Sequence, residues 1–157
     1  MSEHIKQFFK IKSTELYPFA YSLLPDDLQA GQLVLDAIDL ILVDKDFSDK
    51  FTEYYDDQEL LRKDQFMITT ALYSHIFRLA KIRVGQLSGS FTVPEGFGAF
   101  YRTPIENRST IFLREKLSFS WDRIGVIIGK DRISAIERYH SGVNSVYELL
   151  GRPTDVN

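Results

Sequence analysis

The chain of 157 residues contains no cysteine. Disulfide frameworks and thiolate metal sites are thereby excluded, and a reducing compartment, the cytoplasm, is the natural setting for such a composition. Only three histidines occur, His4, His75 and His140, far apart in sequence. With no His/Asp/Glu cluster at ligand spacing, neither a metal nor a cofactor is expected. No apolar run is long enough to cross a bilayer: the longest, LVLDAIDLILV (Leu33 to Val43), is interrupted by Asp36 and Asp39. The opening MSEHIKQFFKIK is charged from its third residue and lacks the apolar core of a secretory signal, so no membrane partner is expected. A phosphate-cradling glycine loop, a nucleophile elbow and paired carboxylates in an apolar setting are also missing, which argues against an enzyme. The acidic run DKDFSDKFTEYYDD misses the spacing and central glycine of an EF-hand loop and reads as a solvated connector. No stretch keeps the period-two alternation of a strand, so the fold class is all-α.

What is present is a 44% share of apolar residues, enough for one compact domain or two small ones. The net charge of -3 is unevenly spread: residues 1–84 carry ten Lys/Arg against fourteen Asp/Glu, whereas residues 104–152 carry eight against six. Only the C-terminal part has the sign that phosphate contact requires.

Phe8, Phe9, Leu16, Phe19, Ala20 and Leu23 recur at helical intervals up to a break at Pro25. A second helix follows, opened by Asp26 as N-cap, with Leu28, Val34, Leu35, Ile38, Ile41 and Leu42 as its apolar face. A third pattern runs from about Glu59 to Val84, with Leu60, Phe66, Ala71, Leu72, His75, Ile76, Leu79 and Ile82 inward. Three such helices make an N-terminal bundle, residues 1–84. Residues 85–103, with Gly85, Gly89, Gly96, Gly98 and Pro94, read as a Gly-rich linker whose aromatics Phe91, Phe97, Phe100 and Tyr101 imply that it docks on something. From Pro104 to residue 152 the pattern is helical again: a helix opened by the proline, a short helix capped by Ser120 and ended by Gly129, and a last helix from about Asp131 to Leu150.

The stretch SWDRIGVIIGKDRISAIERYHSGV therefore holds two short helices about a glycine turn, the second carrying Arg132, Ser134, Glu137, Arg138 and His140 off its apolar face. This is a helix-turn-helix pattern: the first helix braces the second, whose early turns offer donors to base edges while basic groups hold phosphates. Lys130, in the turn, is placed for a phosphate. Arg132 and Arg138 also fit an ordinary solvated helix surface, and Trp121 fits an anchor between the two helices.

The whole segment from Pro104 resembles the C-terminal domain of bacterial sigma factors, especially the compact extracytoplasmic-function group. That family's pattern of a proline, an arginine four residues on, an aliphatic run ending in Leu-Arg, a Ser before an aromatic, an Ile-Ala pair and a Leu-Gly turn falls without a gap on Pro104, Arg108, Ile111-Phe112-Leu113-Arg114, Ser120-Trp121, Ile124-Gly125 and Ile128-Gly129. Ser134-Ala135-Ile136-Glu137-Arg138-Tyr139 is similar to its recognition helix. LYPFAYSLLPDDLQAGQLVLDAIDLIL resembles the stretch ending in the family's polymerase-binding helix, and Leu72 to Ile82 its promoter-melting helix.

The resemblance implies two partners, core RNA polymerase and double-stranded promoter DNA, and adds an anti-sigma-like protein as a third. It implies DNA contacts from Lys130, Arg132, Ser134, Glu137, Arg138, His140, Arg108 and Arg123, polymerase contacts from Gln32, Leu35, Asp36 and Asp39, and melting contacts from Arg78, Lys81 and Arg83. Asp36 and Asp39 also fit the solvated face of an amphipathic helix, and His75 a packed core position. The family's arginine-rich tail and its usual tryptophan are absent after Arg83, and the N-terminal half is acidic. These departures support an alternative: a sigma-derived module that regulates transcription through protein contacts without reading or melting a promoter.

Overall fold

The computed structural model describes residues 2–87 and 91–150; residues 88–90 of the expected linker and 151–152 of the expected C-terminal unit lie outside the described residues. Every regular element among the described residues is helical. The apolar periodicity at the start forms α1 (Glu3–Leu23), which buries Ile5, Phe9, Leu16, Phe19, Ala20 and Leu23. Asp26 caps α2 (Asp27–Val43) as expected, its carboxylate accepting the Gln29 N–H at 2.9 Å. The buried side of α2 is Ala30, Leu33, Val34, Ala37 and Ile41. Leu28 and Leu35, expected on that side, are 84% and 55% exposed.

The acidic stretch expected to be a solvated connector is instead α3 (Lys45–Asp56). Phe47, Phe51 and Tyr54, spaced by four and three, point to the core, and the acids and lysines take the outer surface. Phe51 packs on Phe9 with ring centres 5.6 Å apart and meets Tyr54 edge-on at 5.2 Å. The third sequence pattern is two helices, α4 (Gln58–Lys63) and α5 (Gln65–Gln86), separated at Asp64, whose carboxylate accepts the Tyr54 hydroxyl at 2.7 Å. Ile68, Leu72, Tyr73, Ile76 and Phe77 form the buried side of α5. Phe66 and Ile82, expected inward, face out.

The Gly-rich stretch carries the short α6 (Gly98–Arg102) and lies on the body of the protein: Ala99 is buried, and the Tyr101 hydroxyl donates to the Tyr21 carbonyl at 3.0 Å. α7 (Ile105–Ile111) follows Pro104 and runs into a π turn over Phe112–Lys116. α8 (Trp121–Ile128) and α9 (Arg132–Leu150) complete the chain. The buried residues of the first five helices and of the segment from Pro104 form one cluster. Phe19 of α1 meets Phe112 at 5.8 Å, Tyr73 of α5 meets Phe119 edge-on at 5.3 Å, and α8 packs along α5. The two sequence halves thus share a core, which decides what their polar side chains are free to do.

Candidate functional site

The α8–α9 pair is fixed by local chemistry at each of its ends. The Ser120 hydroxyl accepts the Arg123 N–H at 3.2 Å. Gly129 ends α8 with φ at 72°, the left-handed conformation that only glycine adopts without cost. Asp131 accepts the Ser134 N–H at 2.7 Å to open α9, and these hydrogen bonds hold its carboxyl below the ordinary value. The turn folds back so closely that a Cβ on Gly125 would stand 2.6 Å from the Lys130 carbonyl oxygen. Ile124, Ile127 and Ile128 with Ala135 of α9 fill the space beneath. Trp121 lies edge-on to Tyr139 at 5.2 Å with the Arg114 guanidinium 4.5 Å over its ring.

With that side anchored, Lys130, Arg132, Ile133, Glu137, Arg138 and His140 are exposed and Ser134 is half-buried. Val126 of α8 and Ile133 add two apolar side chains, 63% and 68% exposed. The charges are mixed. Arg132 is 3.7 Å from Asp122, Arg138 is 3.6 Å from Glu106 of α7, and Glu137 is exposed. Such surface pairs are worth under about 1 kcal/mol each and exchange readily for a phosphate.

Arg108 and Arg123, expected as DNA contacts, are not on this face. Arg108 is buried, and its guanidinium donates to the carbonyls of Ser22 at 3.2 Å, Leu23 at 2.7 Å and Thr103 at 2.7 Å. It ties the C-terminal end of α1 to the start of α7, where the free carbonyls of a helix end welcome a cation. Burial pulls its pKa down to about 10, so it remains charged at neutral pH. Arg123 donates to the Thr70 hydroxyl at 2.8 Å and lies between the rings of Phe119 and Phe66, at 3.9 and 4.1 Å. Burial lowers its pKa as well. It fastens α8 to α5.

The positions expected to meet polymerase divide between two sides of α2. Leu28, Gln32, Leu35, Asp39 and Val43 recur at helical spacing and are all exposed. Asp36 turns toward α5, where Arg83 donates to it, and it accepts from Gln32 at 2.8 Å. Burial raises the Asp36 carboxyl, and the hydrogen bonds from Arg83 and Gln32 outweigh this and hold it below the ordinary value. Of the three expected melting residues, Arg83 is thus a clasp between α5 and α2, and Lys81 pairs with Glu106 at 3.3 Å. Arg78 is exposed beside His75. His75 is a packed position, as expected: burial and the Arg78 cation hold its pKa down against the opposing pull of Asp44, 3.5 Å away.

Sequence reasoning missed Glu106, which receives both Lys81 and Arg138 and so connects α5, α7 and α9. Its one signal was an acidic residue in the first turn of a helix, a common feature without a partner in view. Among the described residues, no group of three or more His, Cys, Asp or Glu is arranged to hold a metal, and no helix is long and apolar enough to cross a membrane. No known protein family, no curated protein and no solved structure gives a match to the chain.

Proposed function

We propose that the chain is a sigma-like transcription protein that docks on core RNA polymerase through the outward face of α2 and presents the first turns of α9 to promoter duplex. The observation that carries this reading is the free polar start of α9, held outward by a turn closed over Gly125. A helix braced in this way can lie in a major groove with its N-terminal residues toward base edges. Lys130 and Arg132 would hold phosphates, and Ser134, Glu137, Arg138 and His140 would stand nearest the bases. The exposed Leu28, Leu35 and Val43, interleaved with Gln32 and Asp39, form an apolar stripe with an acidic edge that suits a protein partner, as an anti-sigma-like protein would also use. In this reading the protein performs no chemistry and requires no cofactor.

The test is fluorescence anisotropy with duplex DNA over a range of salt, with and without core polymerase. Lys130→Ala with Arg132→Ala should reduce the log–log salt slope by about two, one for each phosphate that no longer has a cation beside it. An unchanged slope removes the DNA role of this face.

One observation favours the alternative, a protein-contact regulator. The cations Arg83, Arg108 and Arg123 are engaged by other parts of the chain, Lys81 pairs with Glu106 at the surface, and Asp122, Asp131 and Glu137 flank Lys130 and Arg132. Under that reading the protein co-purifies with core polymerase, Leu35→Asp abolishes the association, and no promoter-dependent transcript is made.

A further inference from the structure

A second feature is a cavity of about 630 Å³ lined by α1, α6, the π turn and the C-terminal part of α9. Small-molecule sites span roughly 300–1,000 Å³ and are mostly apolar with few polar groups. Tyr21, Phe97, Phe100, Phe112, Val146 and Leu150 supply the walls here. Phe97 and Leu150 are 55% and 49% exposed, an uncovered apolar surface at the mouth. The π turn, a local feature often found at functional sites, sets Phe112, Glu115 and Lys116 together on the cavity side.

The polar groups around it decide what would bind. The Tyr17 hydroxyl donates to Asp27 at 2.6 Å, that of Ser22 to the Phe19 carbonyl at 2.6 Å, and that of Tyr101 to the Tyr21 carbonyl. Of the two charged lining residues, Glu115 accepts from the Tyr139 hydroxyl. Lys116 has no hydrogen-bond or ion-pair partner among the described residues. We propose that this cavity binds a small amphipathic carboxylate, its apolar body between the aromatic walls and its head on Lys116. The ligand would bridge α1 to α9 and so stabilise the folded chain, by an amount that rises with the logarithm of its concentration above Kd. This site is independent of the proposed role in transcription, and neither stands or falls with the other.

The test is isothermal titration calorimetry on the full chain with sodium decanoate, 2-naphthoate and 1-decanol, each below its aggregation limit, with thermal melting in parallel. One-to-one binding by decanoate assigns an acyl ligand, and by 2-naphthoate an aryl one. Lys116→Glu should weaken the bound carboxylate by up to about fivefold through loss of one exposed ion pair, and further through repulsion by the new carboxylate. Phe97→Ala, at an exposed position that spares the core, should weaken it too, and Val146→Trp, which places an indole in the cavity, should reduce both the heat and the rise in Tm. The proposal is overturned if neither carboxylate binds, if 1-decanol binds as tightly as decanoate, or if Lys116→Glu leaves the affinity unchanged while circular dichroism shows a native fold.

Discussion

Replacing Arg108 separates a structural cation from a DNA-binding one. In Arg108→Ala, three buried carbonyls, those of Ser22, Leu23 and Thr103, lose their donors together. Each broken hydrogen bond costs about 1 kcal/mol, and the void left by the side chain adds to the loss. Relief from burying a guanidinium offsets part of it, since no carboxylate lies within ion-pair distance among the described residues. The net expectation is a destabilisation of about 3 kcal/mol, which for a chain of this size lowers Tm by roughly 6–12 °C. Urea unfolding followed by circular dichroism gives the free energy, and thermal melting gives the midpoint. Arg108→Lys keeps the charge but cannot spread three donors over three carbonyls, so it should recover about half of the loss. A change below about 0.5 kcal/mol in Arg108→Ala, with a weakened salt dependence of DNA binding, would refute the clasp and restore Arg108 to the surface role its sequence context implied.

Four further variants test the backbone, the buried histidine and the core. Gly125→Ala should destabilise by about 1–2 kcal/mol, because overpacking against the Lys130 carbonyl outweighs the gain in helix propensity; Gly31→Ala on α2, where a Cβ meets nothing within 4 Å, should stabilise by about 0.5–1 kcal/mol in the same urea assay. His75, held below its ordinary pKa of 6.5, takes up its proton in the unfolded chain first as pH falls. Its contribution to stability is therefore full above about pH 6.5 and lost below it, and urea midpoints at about pH 7.5 and 5.5 should differ less in His75→Gln than in the parent protein; equal differences would contradict this. Phe51→Ala should cost about 3–5 kcal/mol, as a core aromatic does, whereas a solvated connector would lose under about 0.5 kcal/mol.

The same contrasts show which parts of the molecule were legible from residues alone. Helix ends were, because a cap is a local interaction: Asp26, Ser120 and Asp131 each satisfy an N–H three residues on, and Gly129 supplies a left-handed turn. The exposed start of α9 was legible for the same reason. α3 was not, although Phe47, Phe51 and Tyr54 keep helical spacing, because six acidic residues in DKDFSDKFTEYYDD favoured a solvent-facing reading of the whole stretch.

Sequence by itself determined an all-helical chain, the ends marked by Asp26, Ser120 and Gly129, and a tight turn between α8 and α9. Only the tertiary structure decided which charged side chains remain available. Arg83, Arg108 and Arg123 carry the same guanidinium as Arg132, and periodicity places all four off an apolar stripe. Whether such a group meets water, a carbonyl or a carboxylate depends on residues up to 86 positions away that packing brings beside it. Hydrophobic burial fixes that neighbourhood without direction, so a helical wheel shows that a side chain is polar but not what it will face.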